Sequence, residues 1–303
     1  MSPRDRPFSR SLIKAASRIL LGRSRGHFQD RFPGLKLDRT PSGGHIIFKN
    51  AVVGRLFSAD SLGREHQAIY IVGSGPSIND CDMAKVEPGT AILLNGAINL
   101  MGRDIPRPLA IAIEDERFVW RHFPMIRDRV GAGTICLLSV AVIRAICEHD
   151  PAWISDKQIV LIDNIARPYG ARHRKMADLA GLDFVRVDRD ARYGLSLDPD
   201  KGVFQGGSVA VSAMQFAMAC RPKLIGFFGI DISNANAPRF YEKEGTAAFS
   251  GVASAQTRIL GHLDLARTLC LQQGISLECY SKASALLTTG YTYSDRFAIA
   301  HGR

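Results

Sequence analysis

The chain has 303 residues, 46% hydrophobic and 22% charged, an ordinary globular composition with room for one large core or two small ones. Its net charge of +10 favours polyanionic partners (nucleic acid, anionic lipid or an acidic saccharide) or simply serves solubility. The six cysteines (Cys81, Cys136, Cys147, Cys220, Cys270, Cys279) are dispersed without a C-x-x-C pair, which excludes a disulfide scaffold or zinc site and suits the cytosol.

No run reaches the roughly 20 apolar residues of a membrane span, and Ile19-Leu20-Leu21 is too short for a cleavable signal. Residues 1–31 instead form a basic amphipathic segment. Leu12, Ile13, Ala16, Ile19 and Leu20 recur at helical spacing, with Arg10, Lys14, Arg18, Arg23 and Arg25 around them. Such a helix suits a membrane interface, or equally packs its apolar face on a core.

A Gly/Pro-punctuated stretch from Phe32 to Phe57 holds one β-like run, His45-Ile46-Ile47-Phe48. Short apolar runs follow at Ala68–Val72, Ala91–Leu94, Leu109–Ile113, Ile135–Leu138, Ile159–Ile162, Leu224–Phe228 and Ser276–Cys279. The clearest helices are Val140–Glu148, Ser208–Ala219 and Gln256–Gln273. Apolar runs of this length between helices predict strands buried on both faces, hence a doubly wound, mainly parallel α/β domain over residues 32–280. Residues 281–303 form a tail in which Tyr291 and Tyr293 either close a site or merely pack.

Ligands of such sheets bind beyond the strands' carboxyl ends. Those ends carry Gly73-Ser74-Gly75-Pro76-Ser77, Asn95-Gly96, Glu114-Asp115 and Gly229-Ile230-Asp231. Gly73 and Gly75 allow close backbone approach, and Pro76 suits a first helical turn whose free amides attract an anion; a plain tight turn fits equally. The sixth position is Ile78, not glycine, and the second strand ends in Asn95, which speaks against a dinucleotide-binding oxidoreductase. Gln205-Gly206-Gly207-Ser208 opens a helix with Ser208 as N-cap. Glu114-Asp115-Glu116 has the look of a divalent-metal pair. His262 is a candidate general base or an ordinary core histidine. Arg239-Phe240-Tyr241 lies on a loop suited to holding a carboxylate or phosphate.

In order, Ile71–Ser77, Asn95-Gly96, Gly207-Ser208, Gly229-Ile230-Asp231, Arg239-Phe240-Tyr241-Glu242 and Gly261-His262 resemble the bacterial family 42 sialyltransferases, and still more the Kdo (3-deoxy-D-manno-octulosonate) transferases of lipopolysaccharide core. The resemblance covers roughly residues 68 to 280. It implies a Rossmann-like, GT-A-type single domain with a mobile lid around Ser233 to Ser254. By the same resemblance Gly73, Ser74, Gly75, Pro76, Ser77, Asn95, Gly96, Asp115, Gly207, Ser208 and Asp231 bind the CMP-sugar. His262 takes the place of the family's base, with Arg239 and Tyr241 stabilising the departing phosphate. Ser233 stands where the sialyltransferases keep a tyrosine, and this departure favours Kdo.

The expected function is inverting transfer of Kdo from CMP-Kdo to a lipid A–core acceptor at the anionic cytoplasmic face of the inner membrane. No metal cofactor is expected, because a CMP-sugar carries a single phosphate and no diphosphate leaving group. The alternatives are transfer of another CMP-linked nonulosonic acid, sialic or pseudaminic, to capsule or flagellin, and a non-catalytic nucleotide-binding module. No nucleic-acid partner is expected, since the cations gather at the N-terminus rather than beside stacking aromatics.

Overall fold

The computed structural model describes residues 6–40, 42–232, 239–241 and 252–299. The chain opens with α1 (Phe8–Arg25), followed by an antiparallel meander of β1 (Leu35–Thr40), β2 (Gly43–Phe48) and β3 (Ala51–Phe57). Then come β4 (Ala68–Val72), β5 (Ala91–Leu94), β6 (Ala110–Ile113), α2 (Glu116–Arg129), β7 (Ile135–Ser139), α3 (Val140–His149) and β8 (Gln158–Ile162). A short α4 (Met176–Ala180) leads into the two-stranded ribbon β9 (Val185–Val187) and β10 (Gly194–Ser196). The chain closes through α5 (Val209–Ala219), β11 (Leu224–Phe228), α6 (Val252–Gln272), β12 (Ser276–Cys279) and β13 (Thr292–Tyr293).

All strands but the ribbon join one 11-stranded sheet in the order β1-β2-β3-β8-β7-β6-β5-β4-β11-β12-β13. From β3 through β8 to β13 every pairing is parallel. The chain therefore winds outward from β4 in one direction and from β11 in the other, and the carboxyl ends converge on one rim. The expected doubly wound α/β architecture is the one observed.

Side-chain alternation builds two cores, one on each face of the sheet. Tyr70, Val72, Leu93, Ile111 and Leu138 face a core shared with Val119, Phe123 and Ile126 of α2 and with Val142 and Ile146 of α3. Ile69, Ile71, Ile92, Ala112 and Leu137 face the other, shared with α5 and with Ile259, Leu263 and Ala266 of α6. Residues 209–218 of α5 are all buried, which is why that helix is apolar on every side.

The first and the last described segments both belong to this body. The expected tail supplies β13 and buries Tyr291 and Phe297; the Tyr291 hydroxyl donates to Leu263 O at 2.8 Å, so Tyr291 packs rather than closing a site. At the other end α1 docks through its polar side. Arg10 is 2% exposed and donates to Phe32 O (2.9 Å) and Gln29 Oε1 (2.7 Å), with its Nε 3.5 Å from Glu116. Glu116 in turn pairs with the fully buried Arg144 and with Arg6. Phe8, Leu12, Ile19 and Leu20, 57–82% exposed, consequently face outward. The apolar face expected either at an interface or on the core is not on the core. Residues 233–238 and 242–251, most of the expected lid, lie outside the described residues.

Candidate active site

A cavity of about 730 Å³ opens at the carboxyl rim, beyond β5 and β6 and against the N-termini of α5 and α2. It brings together Asn95, Asp115, Gly207, Ser208, Arg239, Tyr241 and His262. Gly73, Ser74, Gly75, Pro76, Ser77, Gly96 and Asp231 do not line it.

The reason lies in how the glycine loop after β4 is held. Gly73 N donates to Phe228 O (2.8 Å), Gly75 N to Gly229 O (2.9 Å) and Ser77 N to Asp231 Oδ2 (2.9 Å). Asp231 also accepts from the hydroxyls of Ser77 (2.7 Å) and Ser281 (3.1 Å). The amides expected to meet an anion are thus committed to the loop after β11, and Pro76 has none to give. Gly73, Gly75, Ser77 and Asp231, expected at the CMP-sugar, here pin one rim loop to another. A Cβ on Gly73 would stand 2.4 Å from Gly229 O, so its glycine is demanded by protein packing. The helix expected after Pro76 is a 3-10 turn, Pro76–Asp80.

Two members of these motifs act on the cavity at one remove. Ser74 Oγ accepts from Arg239 Nη1 (3.1 Å), and Ser74 O accepts from Phe240 N (3.3 Å). Gly96 makes space for Tyr241, whose ring atoms would lie 2.1–2.4 Å from a Cβ there. The conformation of the 239–241 segment is therefore set by the rim loops rather than by its own sequence.

Anion-binding capacity gathers at the start of α5. Ser208 caps the helix, its Oγ accepting from Ala210 N at 3.3 Å. The amides of Gly207 and Val209 find no protein acceptor among the described residues. Gly206 and Gly207 adopt φ of 55° and 96°, turning the backbone so that these donors meet the cavity wall. Arg258 reaches back to Gly206 O (3.1 Å), and Arg239 and Arg167 add positive charge to the lining. On the opposite wall Asn95 sits at φ 47°, a left-handed conformation rare outside glycine, and its Oδ1 is buried without a partner among the described residues. A buried carbonyl left unpaired in a cavity wall is an acceptor reserved for a ligand's N–H or O–H.

His262 of α6 forms the floor, 4% exposed between the rings of Tyr193 (5.5 Å) and Phe204 (5.9 Å). Gly261 is glycine because the Tyr193 ring lies against it. The contact of Nδ1 with Gly194 O at 2.8 Å assigns Nδ1 as the protonated nitrogen, and the longer approach of Gly194 N (3.3 Å) is secondary. That tautomer leaves Nε2 with a lone pair and no partner among the described residues. Burial first, and the Arg258 charge after it, hold the imidazole below its ordinary value despite the Gly194 hydrogen bond, so it is neutral at pH 7.

The three consecutive carboxyls diverge. Glu114 accepts from Ser212 Oγ (2.6 Å), Asp115 caps α2 and pairs with Arg117, and Glu116 belongs to the buried arginines. Among the described residues no group of three His, Cys, Asp or Glu side chains is placed to hold a metal ion. Burial pushes Glu114 up to about 7, with the Asp115 charge adding to the effect and the Ser212 hydroxyl opposing it. Asn164, Arg258 and Phe118 extend the site beyond the residues singled out from sequence, while Glu114 and Gln205 join it from motifs already named there. A separate hollow of about 1020 Å³ contains Arg64 and Lys201, paired with Asp60 and Asp198, and none of the expected site residues.

No family model matches the chain, and no curated protein matches it. Among solved structures it is similar to the sialyltransferase CstII from Campylobacter jejuni in complex with the substrate analogue CMP-3FNeuAc: TM-score 0.39, 12% identity, 77% of this chain and 88% of that chain covered. It is also similar to the sialyltransferase CST-II in complex with trisaccharide acceptor and CMP, at TM-score 0.37 and 11% identity, with the same coverage.

Proposed function

We propose that this protein is an inverting glycosyltransferase that moves Kdo from CMP-Kdo to a lipopolysaccharide inner-core acceptor. The observation that carries the reading is the convergence, in one cavity, of open amides at the start of α5, the Arg239 and Arg258 guanidiniums and a neutral His262. The cytidine amine or a ribose hydroxyl donates to Asn95 Oδ1. The phosphate meets Gly207 and Val209 N–H, with Arg239 and Tyr241 closing over it. His262 Nε2 removes the acceptor hydroxyl proton as that oxygen bonds to the anomeric carbon. The carbon–oxygen bond to phosphate breaks from the opposite face, its electron pair leaves with CMP, and the configuration inverts. Donors aimed at the growing phosphate charge contribute at most about 3–4 kcal/mol each.

The transfer is metal-independent in this reading, because Asp115 and Glu116 are occupied by arginines and Glu114 by Ser212. The preference for Kdo rests on sequence, at Ser233, a position outside the described residues. The outward apolar face of α1, in a helix with no acidic residue, favours work at a bilayer surface on its cytoplasmic face. Among the described residues no helix is long and apolar enough to cross a membrane.

The test is CMP release from a panel of CMP-sugars with and without a core oligosaccharide. CMP-Kdo is expected to be turned over and CMP-sialic acid spared; the opposite ranking would reassign the donor, and turnover of neither would leave a nucleotide-binding module. His262→Ala should lower turnover by at least about a hundredfold with CMP affinity retained. In the wild type, activity should persist below pH 6.5 before falling as the imidazole protonates. An alanine variant of wild-type activity removes His262 from the mechanism.

A further inference from the structure

Beside the candidate active site lies a second cavity, of about 1160 Å³. The two share Glu114, Asn164, Arg167, His173 and Gln205 as lining, so they meet at a common wall. Of the first cavity's capacity, a nucleotide and one sugar take most; the second is large enough for several sugar rings.

Its charges are unevenly engaged. Each of the four carboxyls in the lining already serves a protein donor: Glu114 the Ser212 hydroxyl, Asp163 the Arg39 guanidinium (2.6 Å), Asp178 the Lys175 amide (2.8 Å), and Asp30 the Gln29 amide. Besides Lys175 at the start of α4, four cations line the same cavity, Lys14, Arg18, Arg23 and Arg167, and the side chains of these four enter no hydrogen bond or ion pair among the described residues. Scattered solvated cations are ordinary on a surface. Four without partners on one concavity, adjoining a site that binds an activated sugar, are a polyanion receptor.

We propose that this second cavity is the acceptor subsite and takes a saccharide bearing phosphate or carboxylate groups. The assignment rests on the transferase reading for its biological meaning, but the anion site itself does not depend on that reading. Three of the four cations are on α1, and the exposed Ile19 of the same helix stands in the same lining. An acceptor attached to lipid therefore enters the cavity from the side on which the helix presents its apolar residues.

The test titrates the full chain, with CMP present and absent, with a deacylated phosphorylated lipopolysaccharide core oligosaccharide and with a neutral maltooligosaccharide of equal length. The anionic sugar is expected to bind at least about tenfold more tightly, and Lys14→Ser/Arg18→Ser/Arg23→Ser to weaken it by at least about tenfold with CMP affinity unchanged. All three positions are exposed, and the CMP titration reports that the variant is folded. Equal binding of the two sugars, or a triple variant that binds like wild type, overturns the proposal. It also falls if the variant loses affinity only for phosphatidylglycerol-containing vesicles, since the cations then serve the bilayer. A wild type that binds the anionic sugar but not CMP refutes the transferase reading and leaves the anion site standing.

Discussion

Glu114 is a carboxyl held at the cavity floor with its value raised from 4.5 to about 7, and its effect on stability can be worked out from that displacement. Between these two pH values the folded state binds more protons than the unfolded chain. Stability is therefore complete below about pH 4.5 and is lost as pH rises through about 7. At 1.36 kcal/mol per pH unit the full displacement amounts to about 3 kcal/mol; the side facing the cavity keeps some solvent, so about 2–3 kcal/mol is expected. For a chain of this length the unfolding entropy is roughly 0.6 kcal/mol/K, which converts the loss to about 3–5 °C in Tm. Glu114→Gln keeps an oxygen to accept the Ser212 hydroxyl and cannot ionise. Thermal melts of both proteins from pH 4.5 to 8 should coincide at the acid end, diverge as pH rises from about 4.5 to about 7 and run parallel above that, with the variant higher by that amount. A difference in Tm that stays constant over the whole range would refute the reasoning, since it would show that ionisation at residue 114 carries no cost.

Gly96→Ala puts a methyl within 2.1–2.4 Å of the Tyr241 ring, so KM for the donor should rise several-fold with Tm nearly unchanged; steady-state kinetics beside a melt decide it, and an unaltered KM detaches Tyr241 from the donor. Gly73→Ala meets the Gly229 backbone and the Ile230 side chain and should cost about 1–3 kcal/mol, or roughly 2–5 °C; wild-type thermal stability would mean that the rim loops are not interlocked. Arg10→Ala removes the hydrogen bonds that seat α1 and should favour its local opening by about 2 kcal/mol, roughly 30-fold. Trypsin cleavage after Lys14 and Arg18 measures that opening, and an unchanged rate would show that something else holds the helix.

The parallel strands were legible because burial on both faces leaves no polar position to break an apolar run, as in Ala68–Val72. The meander was only partly legible: β2 showed its apolar end, while β1 and β3 are half-exposed strands with alternating burial. Helix α2 is not legible in the sequence because Pro124 and its charged residues interrupt the Val119, Phe123 and Ile126 stripe that buries it. At the site, the α5 N-terminus could be read from Gln205-Gly206-Gly207-Ser208, since capping is a local matter. The glycine loop after β4 could not, because its amides are claimed by Phe228, Gly229 and Asp231, residues brought alongside only by the pairing of β4 with β11. The orientation of α1 was hidden for the same reason: periodicity defines two faces of a helix, and the buried Glu116 and Arg144 that select the polar one are remote in sequence.

Among the described residues the sheet of eleven strands ends in two margins, and both are poor templates for another chain. At one end β13 offers just Thr292 and Tyr293, too short a ribbon to recruit a neighbour. At the other, β1 presents Lys36, Asp38, Arg39 and Thr40 to solvent, so an incoming strand would have to shed the hydration of three charges to pair there. So broad a layer of hydrogen-bonded backbone thus stays finite, its growth ended by brevity on one margin and by charge on the other.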